Sequence, residues 1–229
     1  MSLSLSHPSA KTPASSVLLV QAKGDTSPEA YRQIYVGLAL PVDVQPVIIG
    51  VTSAIGGEGR TTVALGLALT LAADLDVPVS LVEVDLDRPA LARQFDIALA
   101  PGLSEVLRGE YRLDEVLRPV SENLSVVTAG AVGPDSARLL RQVPVLDPFH
   151  ETPDLRGVVV LDLPPLMNQS YAVRAADAAD AVVLVVRAGV TPYDVVREAI
   201  ARCEDRPPQG IVLNGPRSAL PSWWPGKGF

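Results

Sequence analysis

Six short apolar runs recur along the chain, and stretches with helical spacing lie between them. The runs are VIIGV (47–51), VSLVEV (79–84), LSVVTA (124–129), GVVVLD (157–162), AVVLVV (181–186) and GIVLN (210–214). A strand that is covered by helices on both faces is apolar along its whole length, whereas a half-exposed strand alternates. The runs therefore predict buried parallel strands.

Helices are predicted in the intervals around these runs. Their expected ranges are 28–39, 60–73, 102–108, 134–142, 169–178 and 192–204. A repeated strand–helix–strand order requires right-handed crossovers between parallel strands. The predicted fold class is α/β, a doubly wound, mainly parallel sheet of about 6–8 strands with helices on both faces.

Residues 17–216 carry all the predicted elements and are expected to form a single domain. The chain has 229 residues, of which 48% are hydrophobic, enough for one sizeable core. Residues 1–16 are rich in Ser and Pro and are expected to be a flexible arm. Residues 217–229 are expected to be a tail, whose Trp223 and Trp224 either dock on the domain or a partner or remain surface aromatics.

The charge and composition exclude several classes of function. A net charge of −7 argues against non-specific binding to nucleic acid or to an anionic bilayer. Cys203 is the only cysteine, and His7 and His150 are isolated, so neither an internal disulfide nor a His/Cys metal cluster is expected. No apolar run approaches the ~20 residues of a membrane span. We expect a cytoplasmic protein that reaches a membrane only through a partner.

The segment TSAIGGEGRTT (52–62) follows the first predicted strand and opens the next helix. Glycines let a loop turn its N–H groups inward, and the start of a helix adds a positive dipole, so the segment suits a polyphosphate. In the Walker A pattern GxxxxGK[ST], Ala54 takes the first position, Gly59 the sixth, Arg60 the seventh and Thr61 the eighth. The predicted nucleotide-binding residues in this loop are Gly56, Gly57, Glu58, Gly59, Arg60, Thr61 and Thr62.

Acidic residues end two further runs, in LVEVDLDRP and VVVLDLPP. Because ligands bind at the carboxyl ends of parallel strands, carboxylates there can hold Mg²⁺ beside a phosphate loop. Asp85 and Asp162 are the predicted metal carboxylates, whereas Glu83 and Asp87 either take part or are ordinary charges at a strand end. Asn214 ends the last run, where its amide either reads a base edge or forms a turn.

In this order, the segments resemble the cytoplasmic domain of bacterial tyrosine kinases, the BY-kinases that accompany capsule and exopolysaccharide export. That family lies within the deviant P-loop ATPases that include MinD and ParA. The resemblance covers roughly residues 27 to 216. Its stretches are SPEAYRQIY, VTSAIGGEGRTTVALGLALTLA, LVEVDLDRPALARQF, GLSEVLRGE, NLSVVTAGAVGPDSARLL, VVVLDLPPL, DAADAVVLVVRAGVT and GIVLN.

The resemblance implies a role for each matching residue. It implies that Arg60, at the position of the family's loop lysine, binds the phosphates, and that Glu83 helps to activate a tyrosine hydroxyl. It implies a metal site made of Thr61, Asp85 and Asp162. The implied cofactors are ATP or ADP with Mg²⁺, with Asn214 against the adenine.

The resemblance also implies partners. These are a membrane-anchored polysaccharide co-polymerase or adaptor at the inner face of the membrane and, in addition, further copies of the chain. The family's ring-forming ExxRxxR helix is incomplete here, since Glu29 and Arg32 are followed by Tyr35 in the last place. No tyrosine follows Tyr193, although autophosphorylating relatives end in tyrosine-rich tails.

Three departures from the family pattern lie around the phosphates. Arg60 replaces the loop lysine, and a planar, bidentate guanidinium cannot simply take the place of an ammonium. Glu83 stands where an aspartate is expected, and Asp87 replaces the arginine of a DxDxR segment. A misplacement of ~1 Å at a reacting group can cost about a hundredfold in rate. The sequence therefore predicts impaired phosphotransfer, although a general drift from Lys to Arg also explains Arg60.

Three functions remain open from the sequence. The first is a nucleotide-binding, kinase-like protein of capsule or exopolysaccharide biosynthesis with weak or absent phosphotransfer. The second is a catalytically inactive regulatory or scaffold pseudokinase. The third is a MinD- or ParA-like positioning ATPase, which the acidic balance and the lack of a basic amphipathic tail disfavour.

Overall fold

The structure is a computed structural model that describes residues 18–22, 28–40, 46–146, 148–149, 155, 157–168, 171–203 and 207–215. The predicted arm 1–16 and tail 217–229, with Trp223 and Trp224, lie outside the described residues. The division of the chain into an arm, a domain and a tail therefore stays a prediction.

Among the residues that the structure describes, eight strands form one sheet. They are β1 (Leu18–Ala22), β2 (Val47–Ser53), β3 (Val79–Glu83), β4 (Arg118–Pro119), β5 (Leu124–Val127), β6 (Val158–Asp162), β7 (Ala181–Arg187) and β8 (Gly210–Asn214). Their order across the sheet is β1-β8-β7-β2-β6-β3-β5-β4. All neighbours are parallel except β4 and β5, which are antiparallel. The predicted mainly parallel, doubly wound sheet is confirmed.

Helices connect the strands. They are α1 (Pro28–Leu38), α2 (Arg60–Asp74), α3 (Leu91–Phe95), α4 (Leu103–Leu107), α5 (Leu113–Val116), α6 (Ser136–Leu146), α7 (Ala172–Ala176) and α8 (Tyr193–Ala201). Each predicted helix corresponds to one of these, with α7 much shorter than its predicted range. The sequence did not predict β1, β4, α3 or α5. The strand β4 and the helices α3 and α5 are too short to show a hydrophobic period. Within the described residues, no helix has the length and apolar character needed to cross a membrane.

The central strands are buried on both faces, which explains their unbroken apolar runs. Every residue of β2, β3 and β6 is buried. On one face, Ile49 packs in a cluster with Leu67 of α2 and Ile34 of α1. On the other, Ile48 belongs to a cluster with Leu139 of α6. The sheet is therefore enclosed between two helical layers, and ligands can approach only at the ends of its strands.

The strand register brings three of the sequence segments to one edge of the sheet. Val51 of β2 lies opposite Asp162 of β6, and Asp162 lies opposite Glu83 of β3. The glycine-rich loop leaves β2 at this same edge and leads into α2. The acidic strand ends and the predicted phosphate loop are therefore neighbours in space.

A prediction follows from the contact between α1 and α2. Tyr31 of α1 is buried with its ring against Gly66 of α2, and a Cβ at Gly66 would overlap that ring. We expect Gly66→Ala to lower the free energy of unfolding by about 1–2 kcal/mol, because overpacking outweighs the gain in helix propensity. Urea denaturation measures the change.

The matched control for this variant is Gly37→Ala, on the exposed side of α1. This substitution is expected to leave stability unchanged or to raise it by about 0.5–1 kcal/mol. Equal effects of the two substitutions would contradict the packing of Tyr31 on Gly66.

Candidate functional site

The loop between β2 and α2 uses left-handed backbone at two glycines. Gly57 has a φ of 86° and Gly59 a φ of 88°, a conformation that side chains make costly. Gly59 is also the N-cap of the 15-residue helix α2. The free N–H groups at the start of a helix attract anions, so this backbone is compatible with the predicted phosphate loop.

Glu58 turns its side chain into the protein and supports the loop from within. It is 2% exposed. Its carboxylate accepts hydrogen bonds from the N–H of Ile55 at 2.7 Å, the N–H of Arg187 at 3.0 Å and the hydroxyl of Thr191. The loop is thereby tied to the end of β7 and to the turn before α8. The predicted role of Glu58 in nucleotide binding consequently depends on its backbone.

Arg60 begins α2, and its side chain folds back onto the acidic strand ends. The side chain is 10% exposed. One terminal nitrogen of the guanidinium donates a hydrogen bond to Asp85, and Nε lies 3.4 Å from Oδ1 of Asp162. The structure thus pairs the predicted phosphate cation with both of the predicted metal carboxylates.

Asp85 holds the turn that follows β3 as well as Arg60. Its Oδ2 accepts the bond from Arg60, while its Oδ1 accepts the backbone N–H of Asp87 at 3.2 Å and that of Arg88 at 3.3 Å. Both oxygens are engaged within the protein. The position of the turn after β3 is consequently linked to the position of Arg60.

Asp162 is the most strongly perturbed acid of the site. Burial raises the pKa of its carboxyl from 3.8 to about 7, against the lowering effects of the Arg60 charge and of a hydrogen bond from the Thr61 hydroxyl. The charges of Glu83 and Asp85 raise it further. A buried carboxylate surrounded by other acids is costly to ionise, so a cation beside it is stabilising.

Glu83 directs its carboxylate at backbone amides. It accepts hydrogen bonds from the N–H groups of Ala90, Leu91 and Ala129, of which the last two measure 2.9 Å and 3.1 Å. Burial is the largest effect on its pKa and raises it, while these hydrogen bonds lower it. In this arrangement Glu83 fixes the start of α3 and the end of β5. Its predicted role with a tyrosine hydroxyl stays a prediction.

Asn214 and Thr62 lie on the α2 side of the loop. The Nδ2 group of Asn214 donates to the carbonyl of Glu58 at 2.8 Å and lies against Gly59. Thr62 is exposed and lines a cavity of about 270 Å³ between α1 and α2, together with Tyr31. Asn214 therefore contacts the loop directly, whereas Thr62 lies one step further along the helix.

Two residues that the sequence did not single out lie at the site, and one of them, Arg88, is close to the loop. Nη1 of Arg88 lies 3.1 Å from the position that a Cβ on Gly56 would take. The hydroxyl of Tyr171 donates a hydrogen bond of 2.6 Å to Asp87. The sequence signal for Arg88 was a basic residue within the acidic segment LVEVDLDRP. Tyr171 belongs to none of the segments that carry the family resemblance.

The oxygen atoms at the site have the chemistry that suits magnesium. Thr61 offers a hydroxyl, and Asp85 and Asp162 offer carboxylates. Mg²⁺ prefers oxygen and is commonly held by one or two carboxylates together with phosphates. In the part of the chain that the structure describes, no three or more His, Cys, Asp or Glu side chains form a metal-binding group. The oxygens of Thr61, Asp85 and Asp162 are therefore compatible with a magnesium ion.

Comparisons with known proteins place this site in context. No protein-family model matches the chain. The chain is 30% identical over 192 residues to tyrosine-protein kinase YwqD of Bacillus subtilis, covering 82% of this chain and 80% of that protein. It is 27% identical over 202 residues to tyrosine-protein kinase etk of Escherichia coli K12, but spans only 28% of the length of that protein.

Solved structures agree with the sequence matches. The kinase domain of Escherichia coli tyrosine kinase ETK is 25% identical, with a TM-score of 0.74, and the match covers 90% of this chain and 82% of that one. The septum site-determining protein MinD from Pyrococcus horikoshii, solved with Mg-ADP, is 22% identical with a TM-score of 0.61, covers 73% of this chain and 70% of its own, and shows the fold alone. With its sheet, its loop and its YwqD-like sequence, the chain belongs to the bacterial tyrosine kinase family.

Proposed function

We propose that the chain binds ATP or ADP at the loop between β2 and α2 and acts in capsule or exopolysaccharide biosynthesis with impaired phosphotransfer. The observation that carries the proposal is the position of Arg60. Its guanidinium is bonded to Asp85 and lies beside Asp162, so the loop cation is directed away from the phosphates. The site keeps its backbone for binding but lacks the usual cation for transfer.

Nucleotide binding is supported by the backbone of the loop. Gly57 and Gly59 adopt the left-handed conformation, and Gly59 caps α2. These features need no charged side chain, because backbone N–H groups and the helix dipole attract the phosphates themselves. The MinD structure with Mg-ADP shares this fold. The loss of a loop lysine therefore weakens binding without removing its main source.

Magnesium would be held by Thr61, Asp85 and Asp162. When bound, the ion would neutralise charge on the phosphates. Arg60 uses the same two carboxylates, and a guanidinium and a metal ion cannot share one oxygen face of a buried acid. Arg60 must therefore move before these oxygens are available, and this competition weakens metal binding.

Phosphotransfer is impaired for two reasons that the structure supports. Arg60 is turned toward the carboxylates, and the transferring phosphoryl group loses a charge that normally stabilises it. Glu83 is buried and directs its carboxylate at three backbone N–H groups, so it is turned toward the backbone and not toward an incoming tyrosine hydroxyl. Each change lies at a group whose geometry controls the rate.

We assign the protein to the cytoplasm, at the inner face of the membrane, in complex with a membrane-anchored polysaccharide co-polymerase or adaptor. Resemblance to capsule-associated kinases supports the partner, and copies of the same chain are a further partner. The second candidate function is a regulatory pseudokinase that never transfers phosphate, and the buried Arg60 pair favours it. A MinD-like positioning ATPase is supported only by the shared fold.

The first test measures nucleotide binding and turnover. Isothermal titration is expected to show that the wild-type protein binds Mg-ADP and Mg-ATP, while ADP release from ATP stays near background. Arg60→Lys is expected to raise the rate of ADP release by about tenfold or more, because a point charge can reach the phosphates. Arg112→Lys, at an exposed site, is the control.

The outcomes of this test separate the candidate functions. Absence of binding at millimolar nucleotide would contradict the proposed function. Binding without recovered turnover in Arg60→Lys would favour the pseudokinase over an impaired kinase.

The second test concerns stability. Arg60→Ala leaves two buried carboxylates without their cation and is expected to lower the free energy of unfolding by about 3–5 kcal/mol. Arg112→Ala removes an exposed pair with Asp114 and is expected to cost at most about 1 kcal/mol. Urea denaturation of both variants measures the difference, and similar small losses would show that Arg60 does not neutralise the acidic strand ends.

The third test concerns pH. The pKa of Asp162 is about 7 in the folded protein and 3.8 as its ordinary value. Between these values the folded state keeps a proton that the unfolded state has released, so stability is expected to fall as pH rises through this window. Asp162→Asn cannot titrate and should flatten the dependence, whereas the exposed control Asp194→Asn should retain it. Denaturation midpoints are measured across this pH window for the wild type, Asp162→Asn and Asp194→Asn. The same pH dependence in all three proteins would contradict the prediction.

A further inference from the structure

Arg88 lies against the phosphate loop although it belongs to a different segment. It follows β3, and its backbone N–H is held by Asp85 at 3.3 Å. Its Nη1 comes within 3.1 Å of the Cβ position of Gly56, and Nδ2 of Asn168 lies 3.6 Å from the same point. Two N–H-bearing side chains therefore face the first half of the loop from outside.

The guanidinium of Arg88 is available to a ligand. Arg88 is exposed, and no ion pair joins it to any described residue. It lines a cleft of about 490 Å³ with Asp85, Asp87, Pro165 and Asn168. Arg60, by contrast, is buried and paired with both carboxylates. Of these two arginines at the loop, only Arg88 has its charge free.

The loop has two distinguishable ends. Asn214, the predicted adenine contact, lies against Gly59 and bonds the carbonyl of Glu58. Arg88 lies against Gly56, at the other end. A nucleotide whose base is near Asn214 and whose phosphates follow the loop has its terminal phosphate near Gly56. Arg88 is consequently placed beside the last phosphate of a triphosphate.

We propose that Arg88 binds the γ-phosphate of ATP and supplies the cationic contact that Arg60 does not make. This inference rests on the proposed nucleotide binding. A guanidinium matches phosphate oxygens with two parallel N–H groups, and such charge-assisted bonds are stronger than neutral ones. Asp85 accepts the guanidinium of Arg60 at one oxygen and the backbone N–H of Arg88 at the other, so one carboxylate contacts both residues.

The experiment compares Arg88→Ala with Arg93→Ala, an exposed arginine on α3 that changes the net charge equally. Isothermal titration is carried out with a non-hydrolysable ATP analogue, ADP and AMP, each with magnesium. Arg88→Ala is expected to lower the affinity for the ATP analogue by about 10- to 100-fold. Its affinity for ADP and AMP is expected to fall by about threefold or less, because Arg88 then acts on these ligands only through a charge effect that salt screens.

Two further measurements make the result specific. Arg88→Lys keeps the charge without the bidentate geometry and is expected to recover part of the affinity for the ATP analogue. Thermal unfolding of Arg88→Ala without ligand should match that of Arg93→Ala, which shows that both fold alike. A higher salt concentration should lower the affinity for the ATP analogue more in the wild-type protein than in Arg88→Ala.

Each outcome decides one of the two proposals. Equal affinities of Arg88→Ala and Arg93→Ala for the ATP analogue would overturn the role of Arg88 and leave nucleotide binding standing. An equal loss for ADP and the ATP analogue would overturn the assignment to the γ-phosphate. A wild-type protein that binds none of the three nucleotides would overturn the proposed function and this inference with it.

Discussion

The charge of Arg60 between Asp85 and Asp162 is the interaction on which the rest of the site depends. Two acids buried at neighbouring strand ends repel each other and lose their hydration, so they require a cation or a proton. Arg60 is that cation, at the first residue of α2. The same contacts join α2 to the turn after β3 and to the end of β6. The protein consequently carries its own counter-charge at the acidic strand ends.

This geometry also bears on why arginine stands in the loop. The chain has 19 lysines and arginines together, and lysine occurs only at Lys11, Lys23 and Lys227, which suggests a general drift toward arginine. Drift explains the residue type but not its consequence. A guanidinium can contact two carboxylates with different nitrogens, whereas an ammonium is a compact point charge. Whatever its origin, the arginine lets one loop cation face both Asp85 and Asp162.

Much of the fold was predictable from the sequence because a strand buried on both faces appears as an unbroken apolar run. The runs at 47–51 and 157–162 are apolar throughout, and their strands prove buried throughout. The meeting of Asp85 and Asp162 was predictable because parallel strands end at one edge. The directions of the side chains were not. Glu83 is oriented by Ala129, which is 46 residues away in sequence, and no local pattern encodes such a contact.

Asp85 couples the two sides of the site. One oxygen is bonded to Arg60 and the other to the N–H groups of Asp87 and Arg88. A ligand that draws Arg60 away, or that takes an oxygen of Asp85, changes the charge that holds the turn carrying Arg88. Because Arg88 lies against Gly56, a shift of this turn also changes the surroundings of the phosphate loop. Arg60 at the loop position is thus linked, through one buried acid, to the turn that carries Arg88.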